Sequence, residues 1–484
     1  MTPGGMAVID PSCGGLLGQR HHHDRCLRDD RLSWLTLGDV QDAVHGLAAQ
    51  LSKARDGLVF LFASNEVPTV IGLLAAWSLR MPVALLDPNG SQDAVERLVQ
   101  TYEPEVVLNG PAPILGTYGY QALPDDNGGH APRVYFARPP LRAAINPELA
   151  LMLSTSGSTG SPKFVRLSRS AVRTNARQIA GALSIEPSDV GIAHLPLHYS
   201  YGLSVLTSHL AVGAAVSLTG ARVTDALLWH RVREDSGTHF PGVPFHYGVL
   251  DRLGIDRLVP PSVRSFTQAG GHLDLSRRAR CYDAIVRRGG RFYIMYGQTE
   301  AGPRITTLQS TDFPNHSATV GKVLKEGKLL IVDDVGKPQP PGLEGNVIYE
   351  GPNVMMGYAL ARDDLARGDE HQGRLETGDR GVLSNDGFLT LTGRTQRFAK
   401  VAGLRIGLDE IETFLAPGCV VAIAPQDHII LCVTEPAQAA VAARLPELVL
   451  RLRLPSHVFS VRSIETIPLK VTGKIDYKAL ECLT

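Results

Sequence analysis

Cysteine is scarce and scattered in this sequence: Cys13, Cys26, Cys281, Cys419, Cys432 and Cys482 never form a C-x-x-C pair. That spacing argues against a disulfide framework and against structural zinc, and it fits a reducing compartment, so a cytoplasmic location is expected. Net charge is absent as well, with 48 Lys and Arg against 48 Asp and Glu. Without a basic excess, neither nucleic acid nor an anionic membrane is an expected partner. No apolar run is long enough to span a bilayer, and residues 1–25 lack the charged start and apolar stretch of a signal peptide. His21, His22 and His23 read as a solvated tail rather than a metal site. The clusters Arg277, Arg278, Arg280 and Arg287, Arg288 read as solvated helix faces.

What is present is hydrophobic residue in quantity, 44% of 484 positions, enough for more than one domain. Residues 39–53 predict a helix capped by Asp39, with Val40, Val44, Leu47 and Leu51 on one face. "LVFLFA" (58–63), "PVALLD" (82–87) and "EVVLN" (105–109) are continuous apolar runs, the mark of strands buried on both faces. A helical "VPTVIGLLAAWSLR" lies between the first two, which makes a crossover unit with a parallel sheet. The pattern returns between 188 and 300, ending in the strand "RFYIMYG" (291–297). The expected fold is α/β: a large N-terminal domain of layered, parallel-rich sheets flanked by helices. After 320 the texture turns to hairpins, a small β-barrel-like part. The last 90 or so residues read as a small α+β module with helices at 409–415 and 436–445. The domain limits follow as 1–394, a hinge at 395–397, and 398–484.

Four stretches carry chemistry. "STSGSTGSPK" (154–163) follows an apolar strand and offers hydroxyls, flexible backbone amides and a lysine, a cradle suited to phosphate. It is not a P-loop: Pro162 precedes Lys163 and Phe164 follows it, so no hydroxyl succeeds the lysine. "YIMYGQTEAG" (293–302) delivers Tyr296, Gly297, Gln298, Thr299 and Glu300 at the C-terminal end of a strand, where open α/β sheets bind ligands. The aromatic suits a base, and Thr299 and Glu300 suit a phosphate with its Mg2+. In "TGDRGVLSNDGFLTLTGR" (377–394), a turn centred between Asp386 and Gly387 sets Asp379 opposite Arg394. That pair is either a plain cross-strand salt bridge or a grip on two ribose hydroxyls. Finally, "IPLKVTGKIDYKAL" (467–480) places Lys474 on a loop before a helix.

Taken together, "STSGSTGSPK", "YGQTE", "TGD", "GRTQRFAKVAGLRIGLDEIE" (393–412) and "TGKID" (472–476) occur in an order and spacing that resembles the adenylate-forming enzymes: acyl-CoA synthetases, luciferases and peptide-synthetase adenylation domains. The resemblance runs along nearly the whole chain and implies ATP and Mg2+ as cofactors. It further implies that Thr155, Ser156, Gly157, Ser158, Thr159, Gly160 and Lys163 hold the β- and γ-phosphates. Tyr296 and the strip Ala269, Gly270, Gly271 would flank adenine, and Gly297 and Gln298 would be further nucleotide-binding positions. Thr299 would contact the α-phosphate, Glu300 would hold Mg2+, and Asp379 with Arg394 would bind the ribose. Lys474 corresponds to a mobile lysine that contacts carboxylate and α-phosphate during adenylation. Lys400 falls on the face that a small domain presents in a second half-reaction, with Gln396 at its hinge.

For the acid, "LPLHYSYGLSVL" (195–206) matches the segment that floors the acyl pocket in this family, and it holds no carboxylate. A free α-amino acid is therefore not expected. Tyr199, Ser200, Tyr201, Val243, Pro244 and Gln268 describe a polar-aromatic pocket for a small or aryl acid. The acceptor implied is a thiol, of CoA or of the phosphopantetheine on an acyl carrier protein, with an amine as the alternative. Phe164 stands where many relatives have Gly, and Gln396 where the hinge is usually Asp or Lys. Two rival classes are a nucleotide-binding scaffold without catalysis, opposed by the presence of Glu300 and Lys474, and a phosphotransferase, opposed by the missing P-loop.

Overall fold

Short runs of Val, Leu, Ile and Phe bounded by turn residues build two large sheets. The computed structural model describes residues 17–18, 23–54, 56–123, 130–137, 144–154, 163–394, 398–401, 404–415, 420–425, 428–452, 454–469 and 475–483. The first sheet has nine strands, in the order Lys322–Val323, Thr306–Leu308, Arg291–Tyr296, Ser265–Gln268, His239–Gly242, Val190–Ala193, Ala215–Leu218, Arg25–Arg28 and Leu35–Thr36. From Arg291–Tyr296 to Arg25–Arg28 its neighbours are parallel. The second sheet has eight strands around a parallel centre of Leu149–Ser154, Val83–Leu86, Val59–Phe62 and Val106–Leu108. Every residue of Val59–Phe62 and Val83–Leu86 is buried, because helices cover both faces.

The strand Arg25–Arg28 has no counterpart in the sequence reading. Only Cys26 and Leu27 are apolar in it, too short a signal to see, and it exists because Ala215–Leu218 offers it a parallel edge. The helix read as starting at Asp39 runs Leu37–Leu51 and is capped by Thr36, whose Oγ1 accepts from the Asp39 N–H. Asp39 reciprocates by accepting from the Thr36 N–H at 2.8 Å, so the acid is the far half of a capping box. The helix expected to stop at 445 continues as Gln438–Leu452 through Pro446. Val441 and Leu448, both buried on the same core, offset the roughly 3 kcal/mol that an interior proline costs.

The arginine clusters divide: Arg280 and Arg287 are exposed, as read, whereas Arg278 is buried and Arg288 half-buried. Arg278 is 3% exposed and donates to the carbonyls of Leu273, Ser317 and Thr319, with burial pulling its pKa down to about 10. Arg288 donates to the carbonyls of Ile255, Val259 and Pro260. Arg277 and Arg280 share the carboxylate of Asp251.

A four-stranded antiparallel sheet follows, Lys328–Val332, Glu344–Glu350, Arg374–Leu383 and Leu389–Arg394. Its last hairpin does set Asp379 opposite Arg394, by a different route from the one read. Leu383 pairs with Leu389, so the turn centres on Asp386, and a bulge then leaves Thr392 unpaired and restores the register at Arg380 and Gly393. From Phe398 onward come a ribbon of Phe398–Val401 and Leu404–Gly407 and a three-stranded sheet of Val420–Ile423, Ile429–Thr434 and Phe459–Ile464. The described residues of this part bury their apolar side chains in two clusters that contain no residue before 398. No helix among the described residues is long and apolar enough to cross a membrane.

Candidate active site

The central strands of the first sheet are parallel, so their C-terminal ends share one edge. Gly242 pairs with Gln268, and Gln268 with Ile294. Val243 and Pro244, the strip Ala269–Gly271, and Gly297–Glu300 therefore leave the sheet side by side. Gly270 has φ +83°, and a Cβ there would meet the Tyr199 hydroxyl at 2.5 Å. A Cβ on Gly271 would meet Pro244, and one on Gly297 would lie 1.9 Å from the Pro303 carbonyl oxygen. Glycine is required at 270 and 297 because backbone and ring approach so closely. The buried Gln268 amide donates to the Gly271 carbonyl at 2.9 Å and so pins the strip. Its nitrogen is thus committed to the protein rather than to a ligand.

The second sheet supplies the phosphate side. Strands Leu149–Ser154 and Phe164–Ser168 form a hairpin closed by the pair Ser154 and Phe164. The hydroxyl-rich segment 155–162, with Thr155, Ser156, Gly157, Ser158, Thr159 and Gly160, lies outside the described residues. Phe164 is fully buried, edge-on to Tyr102 with ring centroids 5.1 Å apart, which explains an aromatic at the root of this hairpin. Next to Phe164–Ser168 runs Gly357–Ala359, in a register that sets Tyr358 beside Val165. The Lys163 ammonium stands 3.9 Å from the centre of the Tyr358 ring, and the Tyr358 hydroxyl donates to Glu300 Oε1 at 2.9 Å. Burial, then the Glu300 charge, raises the Tyr358 pKa, so the phenol stays protonated and donating. Arg166, fully buried, holds this strand by donating to the Tyr358 carbonyl at 3.2 Å and to Glu370 Oε2 at 2.8 Å.

Glu300 keeps Oε2 without a hydrogen bond among the described residues, and the hydroxyl of its chain neighbour Thr299 lies 3.1 Å from Ser200 Oγ. Oxygen donors of this kind suit a hard cation such as Mg2+. No group of three or more His, Cys, Asp or Glu among the described residues could hold a metal, so such an ion would rest on Glu300 and on substrate phosphates. On the other flank Tyr296 donates its hydroxyl to Asp379 Oδ2 at 2.5 Å, and Gln298 donates to the Thr377 carbonyl at 3.2 Å. Asp379 is 4% exposed, and its own N–H donates to Thr377 Oγ1. This ties the antiparallel sheet to the edge that carries Glu300.

Tyr199 N-caps the helix Ser200–Ala211, whose first turn brings Ser200 to Thr299. Tyr201 is buried, bonded to Thr267 Oγ1 at 2.8 Å, and its phenol is pushed up to about 12, chiefly by burial. Val243 packs near Gly270. The structure thus gathers Lys163, Tyr199, Ser200, Tyr201, Val243, Pro244, Gln268, the strip, Tyr296–Glu300 and Asp379. Arg394 and Lys400 are described in backbone only, Lys400 paired with Arg405. Lys474 and Gln396 lie outside the described residues, as do His21 and His22, although a bridge between Leu469 and Ile475 brackets the Lys474 segment. Tyr358, Thr377 and Arg166 escaped the sequence reading. Thr377 opens the "TGD" stretch but was given no role there, and Tyr358 and Arg166 sit in no signature, so that only strand pairing reveals what they do.

Comparison with known proteins adds four findings. A model of the AMP-binding enzyme family matches residues 18–359. The 2-succinylbenzoate–CoA ligase of Bacillus cereus is 30% identical over 284 residues, 57% of this chain and 57% of that protein. The hybrid PKS-NRPS synthetase gkaA of Penicillium citrinum is 27% identical over 470 residues, 89% of this chain but 11% of that protein. Among solved structures, the amide bond synthetase McbA from Marinactinospora thermotolerans superposes with a TM-score of 0.76 at 21% identity, covering 98% of this chain and 99% of that one. At such identity the superposition shows a shared architecture of large and small domain. The chain spans from 11% to 60% of the length of the first four curated relatives it matches.

Proposed function

The chain belongs to the AMP-binding enzyme family, and from that premise we propose that it activates a small or aryl carboxylic acid with ATP and passes the acyl group to a thiol. An oxygen of the carboxylate attacks the α-phosphorus, the bond to the β-phosphate oxygen breaks, and pyrophosphate leaves. Both reactants are anions, so the site must supply positive charge and oriented donors where negative charge gathers. The observation that carries the reading is the run Lys163, Tyr358, Glu300, Thr299, Ser200, in which each neighbour touches the next across two sheets. Glu300 would hold Mg2+, which when bound would supply Lewis-acid charge at the phosphates. Thr299, next in the chain and 3.1 Å from Ser200 Oγ, is assigned to the α-phosphate. Asp379, oriented by Tyr296, takes the ribose hydroxyls, and the glycine strip admits adenine against Tyr296.

In the second step the thiol of CoA or of carrier-protein phosphopantetheine attacks the acyl carbon and AMP departs. We assign this step to the residues 398–484, turning on 395–397, with Lys400 on the face presented. Support for a thiol acceptor comes from the name of the succinylbenzoate relative, and support for an amine instead comes from the amide bond synthetase neighbour. An exchange assay with ATP, labelled pyrophosphate and single acids tests the reading. Acid-dependent exchange is the expected result. ADP release would establish a phosphotransferase, and nucleotide binding without exchange would establish a scaffold.

The ribose assignment has its own test. Asp379→Ala is expected to weaken binding of a non-hydrolysable ATP analogue about ten- to a hundredfold in calorimetry, since hydrogen bonds to a charged group contribute about 1.5–3 kcal/mol. Affinity equal to wild type would remove Asp379 from the nucleotide site.

A further inference from the structure

Arg304 is a charged side chain that the chemistry above leaves unused. It follows Glu300 by four positions and is 2% exposed. Two buried asparagines clamp its backbone: its carbonyl accepts from Asn175 at 3.2 Å and from Asn353 at 2.9 Å. Its guanidinium lies over the Tyr201 ring, 5.1 Å from the centroid. Other buried arginines have matched partners, Glu370 for Arg166, Glu105 for Arg362 and three carbonyls for Arg278. No described residue gives the Arg304 side chain an ion pair or hydrogen bond, and its Nε is buried without a partner. A buried cation without counter-charge is costly to desolvate. Burial accordingly draws its pKa down, while the phenols of Tyr201 and Tyr199 hold it up.

Beside the guanidinium is a cavity of about 20 Å3, walled also by Tyr201, Ser204, Ser208, His209 and His239. That is room for one water-sized group. His209 and His239 are neutral there: burial lowers both, and each Nδ1 is engaged, by the Val205 carbonyl and by Thr238 Oγ1. Arg304 is thus the one charged group among the described walls. The cavity runs along the helix Ser200–Ala211, whose first residue touches Thr299. At 1.5 Å per residue, Ser208 lies about 12 Å further along the axis. The cavity therefore leads from Tyr201 away from the reacting end.

We propose that Arg304 is the counter-ion for a second anionic group on the acid, so that the substrate is a short dicarboxylate: one carboxylate is adenylated and the other rests against Arg304. This inference rests on the adenylation reading above. The small cavity sets the shortness, and the orphaned guanidinium sets the charge.

Pyrophosphate exchange is measured with succinate and glutarate, and with the neutral-ended 4-methylpentanoate and hexanoate. The diacids are expected to be favoured at least about tenfold in kcat/KM, as one charged hydrogen-bonded pair supplies. Arg304→Met is expected to raise KM for the diacids about tenfold to a hundredfold and to lower it for the neutral-ended acids. Arg304→Lys, which keeps the charge and the fold, retains the preference. Neutral-ended acids favoured by wild type, or a loss in Arg304→Met that is equal for both classes, overturns the proposal. A second readout is the melting temperature with each acid, with and without a non-hydrolysable ATP analogue. A diacid-dependent rise that is lost in Arg304→Met, in a protein that exchanges no acid, sinks the adenylation reading and leaves the anion site standing. Exchange with neutral-ended acids only, and no diacid-dependent rise, does the opposite. Neither exchange nor a rise overturns both.

Discussion

Lys474→Ala is expected to lower acid-dependent pyrophosphate exchange by about 10²-fold or more, the usual loss when one donor to a developing charge is removed. The lysine is assigned to the gap between the attacking carboxylate and the α-phosphate, where two anions approach. Nothing else on 398–484 is assigned to that place, so no neighbour can substitute for it. The same variant should still make thioester from a synthetic acyl-adenylate and CoA, because the second step is assigned to the other face of the small domain. The two half-reactions must therefore separate: exchange lost, transfer kept. Exchange at the wild-type rate would refute the role of Lys474, and loss of both half-reactions would mean that the variant damages the small domain itself.

Glu300→Gln is the second large effect. The substitution keeps the size of the side chain and an oxygen for the Tyr358 hydroxyl, so the contact at 2.9 Å can persist. What disappears is the negative charge assigned to the cation; the other carboxylate gathered in the site, Asp379, accepts from the Tyr296 hydroxyl. The exchange rate is expected to fall about 10²-fold or more at a given Mg2+ concentration, with a higher concentration needed for half-saturation. Tyr358→Phe provides the contrast. It removes one hydrogen bond to a charged acceptor, worth about 1.5–3 kcal/mol, but leaves the carboxylate in place, so the magnesium dependence is expected to stay that of wild type. A Glu300→Gln enzyme with unaltered magnesium dependence would show that the ion is held elsewhere.

The layered α/β body was legible in the sequence because fully buried parallel strands need continuous apolar runs. Val59–Phe62 and Val83–Leu86 are such runs, and their neighbours alternate with helices at crossover spacing. Elements held by pairing alone were not legible. Arg25–Arg28 has two buried residues and depends on the edge it joins. The arginine clusters misled for a related reason: a charged stretch looks solvated until carbonyls from other loops are seen to converge on Arg278. At the hairpin, the reading reached the pair of Asp379 and Arg394 with the turn placed half a position away, since a bulge at Thr392 cancels the difference and bulges leave little trace in composition.

By itself, then, the sequence determined the class of chemistry, because a Ser/Thr/Gly loop ending in Pro-Lys, a Thr-Glu pair after a strand and a late lysine are each local arrangements of donor and charge. Which side chains support those groups, and which charge lacks an opposite, was decided only by the tertiary structure. Tyr358 meets Lys163 and Glu300 through strand register, and Arg304 has no ion pair among the described residues packed around it. Charge compensation in a protein interior is a property of neighbours in space, and neighbours in space are what a linear pattern does not specify.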